Sequence, residues 1–218
     1  MTLILTALCK NGICVCADKR NRRRYKNGLV QNNDGFNKIY KFASIPLMIF
    51  NHGVNEFGNK SWEKLCFEYE NSNQWNNKSL KHISEDFRNL IEKDVHEQLK
   101  RNMHIFPNEV TAFFDLCGKN SQNNSYEVHE LFWSIDTTGL HFSSSVHRGF
   151  VRSGDGKECL DDYIVQNGKM NTIDYWDNLD ITQARNTLRE LFTFAVEEKK
   201  RLGKDEFSDD FDIECVTE

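Results

Sequence analysis

The first eighteen residues constrain the fold more than any other stretch. Thr2 to Cys9 and Ile13 to Asp18 are rich in Leu, Ile, Val, Thr and Cys, and they flank Asn11-Gly12, a dipeptide that favours tight hairpin turns. Both faces of both strands are largely apolar, whereas a surface hairpin would alternate apolar with polar residues. A sheet built on this hairpin must therefore be covered on both sides. Further strands are expected at Ile39 to Phe42, Pro46 to Asn51, Thr111 to Cys117, Glu127 to Ile135, Leu140 to Ser145, Phe150 to Ser153 and Asp210 to Val216.

Helical periodicity falls into two blocks between the strand groups. The first is Trp62 to Tyr69 and Leu80 to Lys100, with Ser79 as a cap and Ile83, Phe87, Leu90, Ile91 and Val95 as an apolar stripe. The second is Lys157 to Gln166 and Ile181 to Leu202, the longer helix burying Ala184, Leu188, Leu191, Phe192 and Ala195 and ending at Gly203. Strands, two helices, strands, two helices and a last strand predict an α+β fold. Its form is a four-layer αββα sandwich, two mainly antiparallel sheets flanked by helix pairs. There is no internal repeat and no Pro/Gly linker, and Asn71 to Asn77 and Asn120 to Asn124 read as loops, so residues 1–218 are expected to form a single domain.

Composition narrows the function. Hydrophobic residues are 39% and charged residues 28%, enough for a sizeable core, and a net charge of −5 argues against nucleic acid as the ligand. No apolar run is long enough to span a membrane and no secretory signal opens the chain, so no membrane partner and a cytoplasmic location are expected. Seven cysteines without a regular framework read as buried reduced thiols. Cys14 and Cys16 lack a second ligand pair at zinc-like spacing, so neither metal nor cofactor is expected.

Thr2 is the residue with unusual chemical potential. A threonine hydroxyl becomes nucleophilic when a base removes its proton, and at a chain start the residue's own α-amine serves, with an ordinary pKa of about 8. That requires removal of Met1, which is expected because Thr2 is small.

The surroundings carry a resemblance. Thr2 opens a strand, a Lys10-Asn11-Gly12 turn follows, and Ala17-Asp18-Lys19-Arg20 closes the second strand, with Asp18 standing 16 residues after Thr2. Asn37-Lys38-Ile39, Gly53 after a strand, Ser153-Gly154-Asp155-Gly156 before a helix, and Asp205-Glu206-Phe207-Ser208 before the last strand complete the set. In this order these elements resemble the proteasome β-type and HslV-like family of N-terminal-nucleophile (Ntn) hydrolases, in bacterial or archaeal form. The lack of a longer prosequence resembles the HslV peptidase, while Asp18-Lys19-Arg20 looks more like proteasome β subunits.

The resemblance implies an Ntn hydrolase fold and a threonine endopeptidase. Thr2 would be the nucleophile, Lys38 a charged neighbour lowering the pKa values of its hydroxyl and amine, and Asp18 the group orienting Lys38. Gly53 would supply an oxyanion-hole N–H, and Ser153, Asp205 and Ser208 would position the Thr2 amine. Arg20 and Asn21, opening a basic segment longer than the family's usual interval, and Asn51 and Asn55, where the family lines its specificity pocket, are candidate substrate contacts. The family also implies a homo-oligomeric ring, unfolded polypeptide or peptide as substrate, and an ATP-dependent unfoldase as partner. A small-amide Ntn amidohydrolase and a non-catalytic ring subunit are the alternatives.

The hairpin sets a geometric condition. A two-residue Asn11-Gly12 turn puts Asp18 opposite Leu5, on the face away from Thr2. A Lys10-Asn11-Gly12 loop puts it on the face of Thr2.

Overall fold

The N-terminal hairpin closes in neither of these registers. The computed structural model describes residues 2–25, 27–73, 75–105, 110–120 and 124–217, with Arg24 described by its backbone alone. Met1, Lys26, Gln74 and residues 121–123, which entered the expectations of processing, a basic segment and two loops, lie outside the described residues. In chain order the strands and helices are β1 (Ile4–Cys9), β2 (Gly12–Asp18), β3 (Asn21–Arg24), β4 (Val30–Asn33), β5 (Ile39–Lys41), β6 (Met48–Gly53), β7 (Glu56–Phe57), β8 (Lys60–Ser61), α1 (Trp62–Asn71) and α2 (Leu80–Met103). Then come β9 (Val110–Asn120), β10 (Ser125–Asp136), β11 (Gly139–His147), β12 (Phe150–Ser153), α3 (Asp161–Gln166), α4 (Ile173–Asp177), α5 (Ile181–Arg201) and β13 (Phe211–Thr217). They form a mixed α+β fold of two compact units, Met1–Ile39 with His147–Glu218 and Tyr40–Val146.

The first unit is built on a four-stranded antiparallel sheet in the order β12-β1-β2-β13. Cys9 stands opposite Gly12 and Leu5 opposite Cys16, so Lys10 and Asn11 make the turn and Gly12 already belongs to β2. Gly12 is a glycine for packing: a Cβ there would come within 2.6 Å of the Ile181 side chain and overlap the Val216 carbonyl. Asn11 is used elsewhere, its Oδ1 accepting the Ile181 N–H at 3.0 Å where α5 begins.

This register puts Leu3, Leu5, Ala7, Cys14 and Cys16 in one core with Ala184, Leu188, Leu191, Phe192 and Ala195 of α5. Each such aliphatic or aromatic side chain contributes about 1.5–3 kcal/mol on burial. The alternate residues, Ile4, Leu8, Ile13 and Val15, are buried as completely, as the two-sided apolar pattern requires. Helix α5 starts at a capping box of Asp180 and Gln183 and ends with Lys199, Lys200 and Arg201 in the last turn, complementing the helix dipole.

One expectation about cysteine is corrected. Cys14 and Cys215 face each other on β2 and β13, 4.2 Å apart at Cα, and form a disulfide. Direct cross-strand pairing of two distant segments brought them together, which no spacing in sequence reveals. Cys9, Cys16, Cys66, Cys117 and Cys159 are buried free thiols.

The second unit carries a five-stranded sheet in the order β11-β10-β9-β6-β5, with α2 packed on β9 and β10. Ser79 caps α2 by accepting from His82 N–H. Ile83, Phe87, Ile91, Val95 and Leu99 recur every fourth residue and are buried, whereas Leu90, placed in the stripe by the sequence reading, lies about 100° round from Ile91 and is exposed. Among the described residues no helix is long and apolar enough to cross a membrane.

Candidate active site

β1 ends its regular pairing at Ile4, so Thr2 and Leu3 extend past the ladder beside Asp18, the last residue of β2. Asp18 N–H donates to the Leu3 carbonyl at 3.0 Å. The return bond goes to the side chain: Leu3 N–H donates to Asp18 Oδ1 at 2.9 Å. The carboxylate thus occupies the end of the ladder and stands beside Thr2, although the observed register pairs Asp18 with the Leu3 side of the sheet. Neither facing nor opposing Thr2 across the sheet was needed.

Lys38 Nζ donates to Thr2 Oγ1 and to Asp18 Oδ1, both at 2.6 Å. The lysine and aspartate side chains are 3% and 0% exposed, so this is a buried ion pair carrying a hydroxyl. Burial pushes the Lys38 pKa down from the ordinary lysine value, and the Asp18 carboxylate opposes that shift. Asp18 Oδ2 accepts the N–H groups of Arg20 at 2.9 Å and Ser208 at 3.4 Å, so both its oxygens are satisfied. A buried charge held this way is worth its desolvation only while every partner stays in place.

The Ser153 to Gly156 turn grips the other side of Thr2. Ser153 is buried opposite Ile4 at the end of β12. Gly154 has φ +86°, and a Cβ there would overlap the Thr2 carbonyl. Gly156 N–H donates to that carbonyl at 3.0 Å. Gly154 is therefore dictated by close approach of backbone to Thr2, whereas a Cβ at Gly156 would strike the Phe207 ring.

The side chains of the other candidates in this unit are engaged with partners of their own. Ser208 Oγ accepts from Lys19 N–H at 2.8 Å and donates to the Asp210 carbonyl at 2.7 Å. Asp205 is exposed and ion-pairs with Arg20 and Arg22. Arg20 is 9% exposed, with Nε and one terminal nitrogen each 2.7 Å from the Asp34 carboxylate. Its guanidinium is spent inside the first unit. Asn21 opens the β3-β4 ribbon, opposite Asn33.

Gly53, Asn51 and Asn55 belong to the second unit. Gly53 ends β6 at φ +83°, and a Cβ would overlap the Thr111 carbonyl, so the backbone itself requires glycine there. Asn51 is buried, its Nδ2 donating to the carbonyls of Phe113 at 2.8 Å and Val54 at 3.2 Å. The Asn55 carbonyl accepts from Trp62 N–H at 3.0 Å.

Sequence reasoning missed Asp34, the partner of Arg20, and it missed Lys199. That lysine is 3% exposed, donates to the Phe207 carbonyl, pairs with Asp209 at 2.7 Å and lies 4.5 Å over the Phe207 ring. It tethers the segment whose Ser208 N–H reaches Asp18. Its position four residues after Ala195 on the apolar stripe of α5 was the available signal. Among the described residues no group of three or more His, Cys, Asp or Glu side chains is placed to hold a metal ion.

No protein-family model matches the chain, and no curated protein does. Solved structures do. Anbu (ancestral beta-subunit) from Yersinia bercovieri superposes with a TM-score of 0.57 at 10% identity, over 99% of this chain and 81% of that one. The helical assembly of the Anbu complex from Pseudomonas aeruginosa gives 0.55 at 13% identity, with the same coverage. These likenesses correct the branch read from the sequence. The neighbours are Anbu proteins, proteasome-like but distinct from the proteasome β and HslV-like peptidases. The quoted residues were a poor guide to branch because several build what this arrangement around Thr2 requires: a buried lysine, its carboxylate and a glycine turn. At this level of identity, what the chain shares with the Anbu structures is the fold.

Proposed function

We propose that the chain is an Anbu-like Ntn hydrolase subunit in which Thr2, once it is the first residue of the working chain, hydrolyses amide bonds in peptides. The observation that carries this reading is the donation from buried Lys38 to Thr2 Oγ1, with Asp18 on the same ammonium. In the proposed reaction the Thr2 amine takes the hydroxyl proton and Oγ1 attacks the substrate carbonyl. Lys38 steadies the charge developing on Oγ1, and a backbone N–H meets the tetrahedral oxyanion. The protonated amine then gives its proton to the leaving amine. Water hydrolyses the resulting ester by the same route in reverse.

The proposal extends to a four-layer αββα order within a single domain, supported by the burial of both faces of β1 and β2. It also includes assembly with further copies, since the Pseudomonas neighbour is described as a helical assembly. Unfolded polypeptide as substrate, an ATP-dependent unfoldase as partner and a cytoplasmic location belong to the same reading.

One observation favours the non-catalytic alternative. Asp205 and Ser208, expected around the Thr2 amine, are engaged with Arg20 and Arg22 and with Lys19 and Asp210. A subunit that keeps Met1 has an amide where the base should be.

A peptide epoxyketone separates the readings, because its ring closure consumes both a free amine and a hydroxyl on one residue. Intact mass should show loss of Met1 and one adduct per chain, absent from Thr2→Ala. A chain that has lost Met1, is folded and takes no adduct rules out the catalytic reading.

A further inference from the structure

The disulfide of the first unit opens onto a surface cavity. Cys14 is completely buried, whereas Cys215 on edge strand β13 is partly exposed. Cys215 lines a cavity of about 250 Å³ together with Ile181, Thr182, Arg185, Asn186 and Arg189 of α5. Among the described residues neither arginine makes an ion pair, although acidic residues outnumber basic ones in the chain by 33 to 28. They stand one turn apart on the same helix face, a like-charge placement that costs a few tenths of a kcal/mol unless an anion joins them. Thr182 and Asn186 add hydrogen-bonding side chains to the lining, and the nearby N-terminus of α5 adds positive potential.

We propose that this cavity is a thiol-exchange site, in which Arg185 and Arg189 hold the carboxylates of an anionic low-molecular-weight thiol while its sulfur reacts at Cys215. The incoming thiolate attacks Cys215 Sγ and forms a new S–S bond. The Cys14–Cys215 bond breaks, and its electron pair leaves on Cys14 Sγ, which takes a proton from solvent. A second thiolate then attacks the outer sulfur of the mixed disulfide, releases Cys215 as a thiolate and departs as the symmetrical disulfide of the reagent. Access selects the site, because Cys14 is sealed behind the sheet. Charge selects the reagent, because two guanidinium groups favour a dicarboxylate thiol over a neutral one. The cavity volume suits a small thiol and excludes a folded protein reductant.

The test uses the full oxidised chain with glutathione and with 2-mercaptoethanol at matched thiolate concentrations, followed by intact mass and peptide mapping. Glutathione should give a mixed disulfide on Cys215. In R185Q/R189Q its rate should fall about tenfold, as expected for loss of electrostatic steering, while the mercaptoethanol rate stays constant. High salt should reproduce the effect of the double variant. Both arginines are exposed on α5, so the variant should keep the circular dichroism spectrum of the parent, and C215S should take no adduct. Equal losses with both thiols, adducts on Cys14, or no reaction at Cys215 would overturn the proposal.

Discussion

Leu3 N–H donates to the carboxylate of Asp18 at 2.9 Å, in the place where a regular antiparallel ladder would use the Asp18 carbonyl. A side chain has taken over a backbone role at the end of the sheet, and in doing so it has brought a negative charge alongside Thr2. Asn at this position keeps the shape and loses the charge, leaving the Lys38 ammonium without its counter-ion in a buried site. Asp18→Asn should therefore lower the unfolding free energy by about 3 kcal/mol at pH 7 in urea titrations. Unchanged stability would show that the carboxylate is not the partner that keeps Lys38 charged.

Lys38 gives a pH signature of the opposite sign from a surface lysine. Burial lowers its pKa in the folded chain, so between that value and the ordinary 10.5 the unfolded chain binds the additional proton. Stability should accordingly rise with pH across that window, and below it the full cost of the buried charge applies. Lys38→Met should flatten the rise in urea midpoints measured up to pH 10.5. A Lys38→Met slope identical to that of the parent would contradict the assignment.

Gly154 cannot take a side chain without striking the Thr2 carbonyl. Gly154→Ala combines that overlap with a positive φ and should cost about 1–3 kcal/mol. If Thr2 is the nucleophile, epoxyketone labelling should fall more than stability does, because the turn holds Thr2 by its backbone. Gly168→Ala, where a Cβ would meet nothing within 4 Å, is the control.

Arg20 holds the carboxylate of Asp34 below its ordinary pKa, through hydrogen bonds first and charge second. A carboxyl with a depressed folded pKa stabilises the chain above its unfolded value near 3.8, and that contribution disappears as pH falls through the folded value. Acid unfolding below pH 3.8 should thus be less steep in Asp34→Asn than in the parent. Side-chain exposure of 43% at Asp34 keeps the effect small.

The Cys14–Cys215 bridge closes a sequence separation of 201 residues. Its reduction should cost about 2–4 kcal/mol, and lower the melting temperature on the order of 10 °C, by freeing the unfolded chain. A scan with and without reductant measures this directly. No change in melting temperature would mean the cross-link adds nothing to the β2-β13 pairing.

Much of this was legible from residues alone, for identifiable reasons. Periodicity gave α2 and α5 because Ile83, Phe87 and Ile91, and Leu188, Phe192 and Ala195, repeat at helical spacing within helices of 24 and 21 residues. The hairpin was legible from its apolar strands, but its register was not. Asn11 and Gly12 looked like turn residues, yet their identities answer to Ile181 and Val216, residues distant in sequence. The association of Thr2, Asp18 and Lys38 was anticipated through resemblance. Its physical basis, a carboxylate substituting for a carbonyl at the strand end, depends on where the ladder stops. The ion pair of Arg20 with Asp205 was not legible, because a charged residue's partner is a property of the folded loop.

The last strand has a consequence for timing. Phe211 pairs with Asp18, and Ser208, 190 residues downstream of Asp18, donates to the same carboxylate. On the ribosome, Thr2, Asp18 and Lys38 emerge early but remain an unfinished triad until the segment around Ser208 leaves the exit tunnel and docks. A growing chain would therefore be inert toward itself and its neighbours, and any activity at Thr2 would switch on only with the arrival of the strand that closes the sheet.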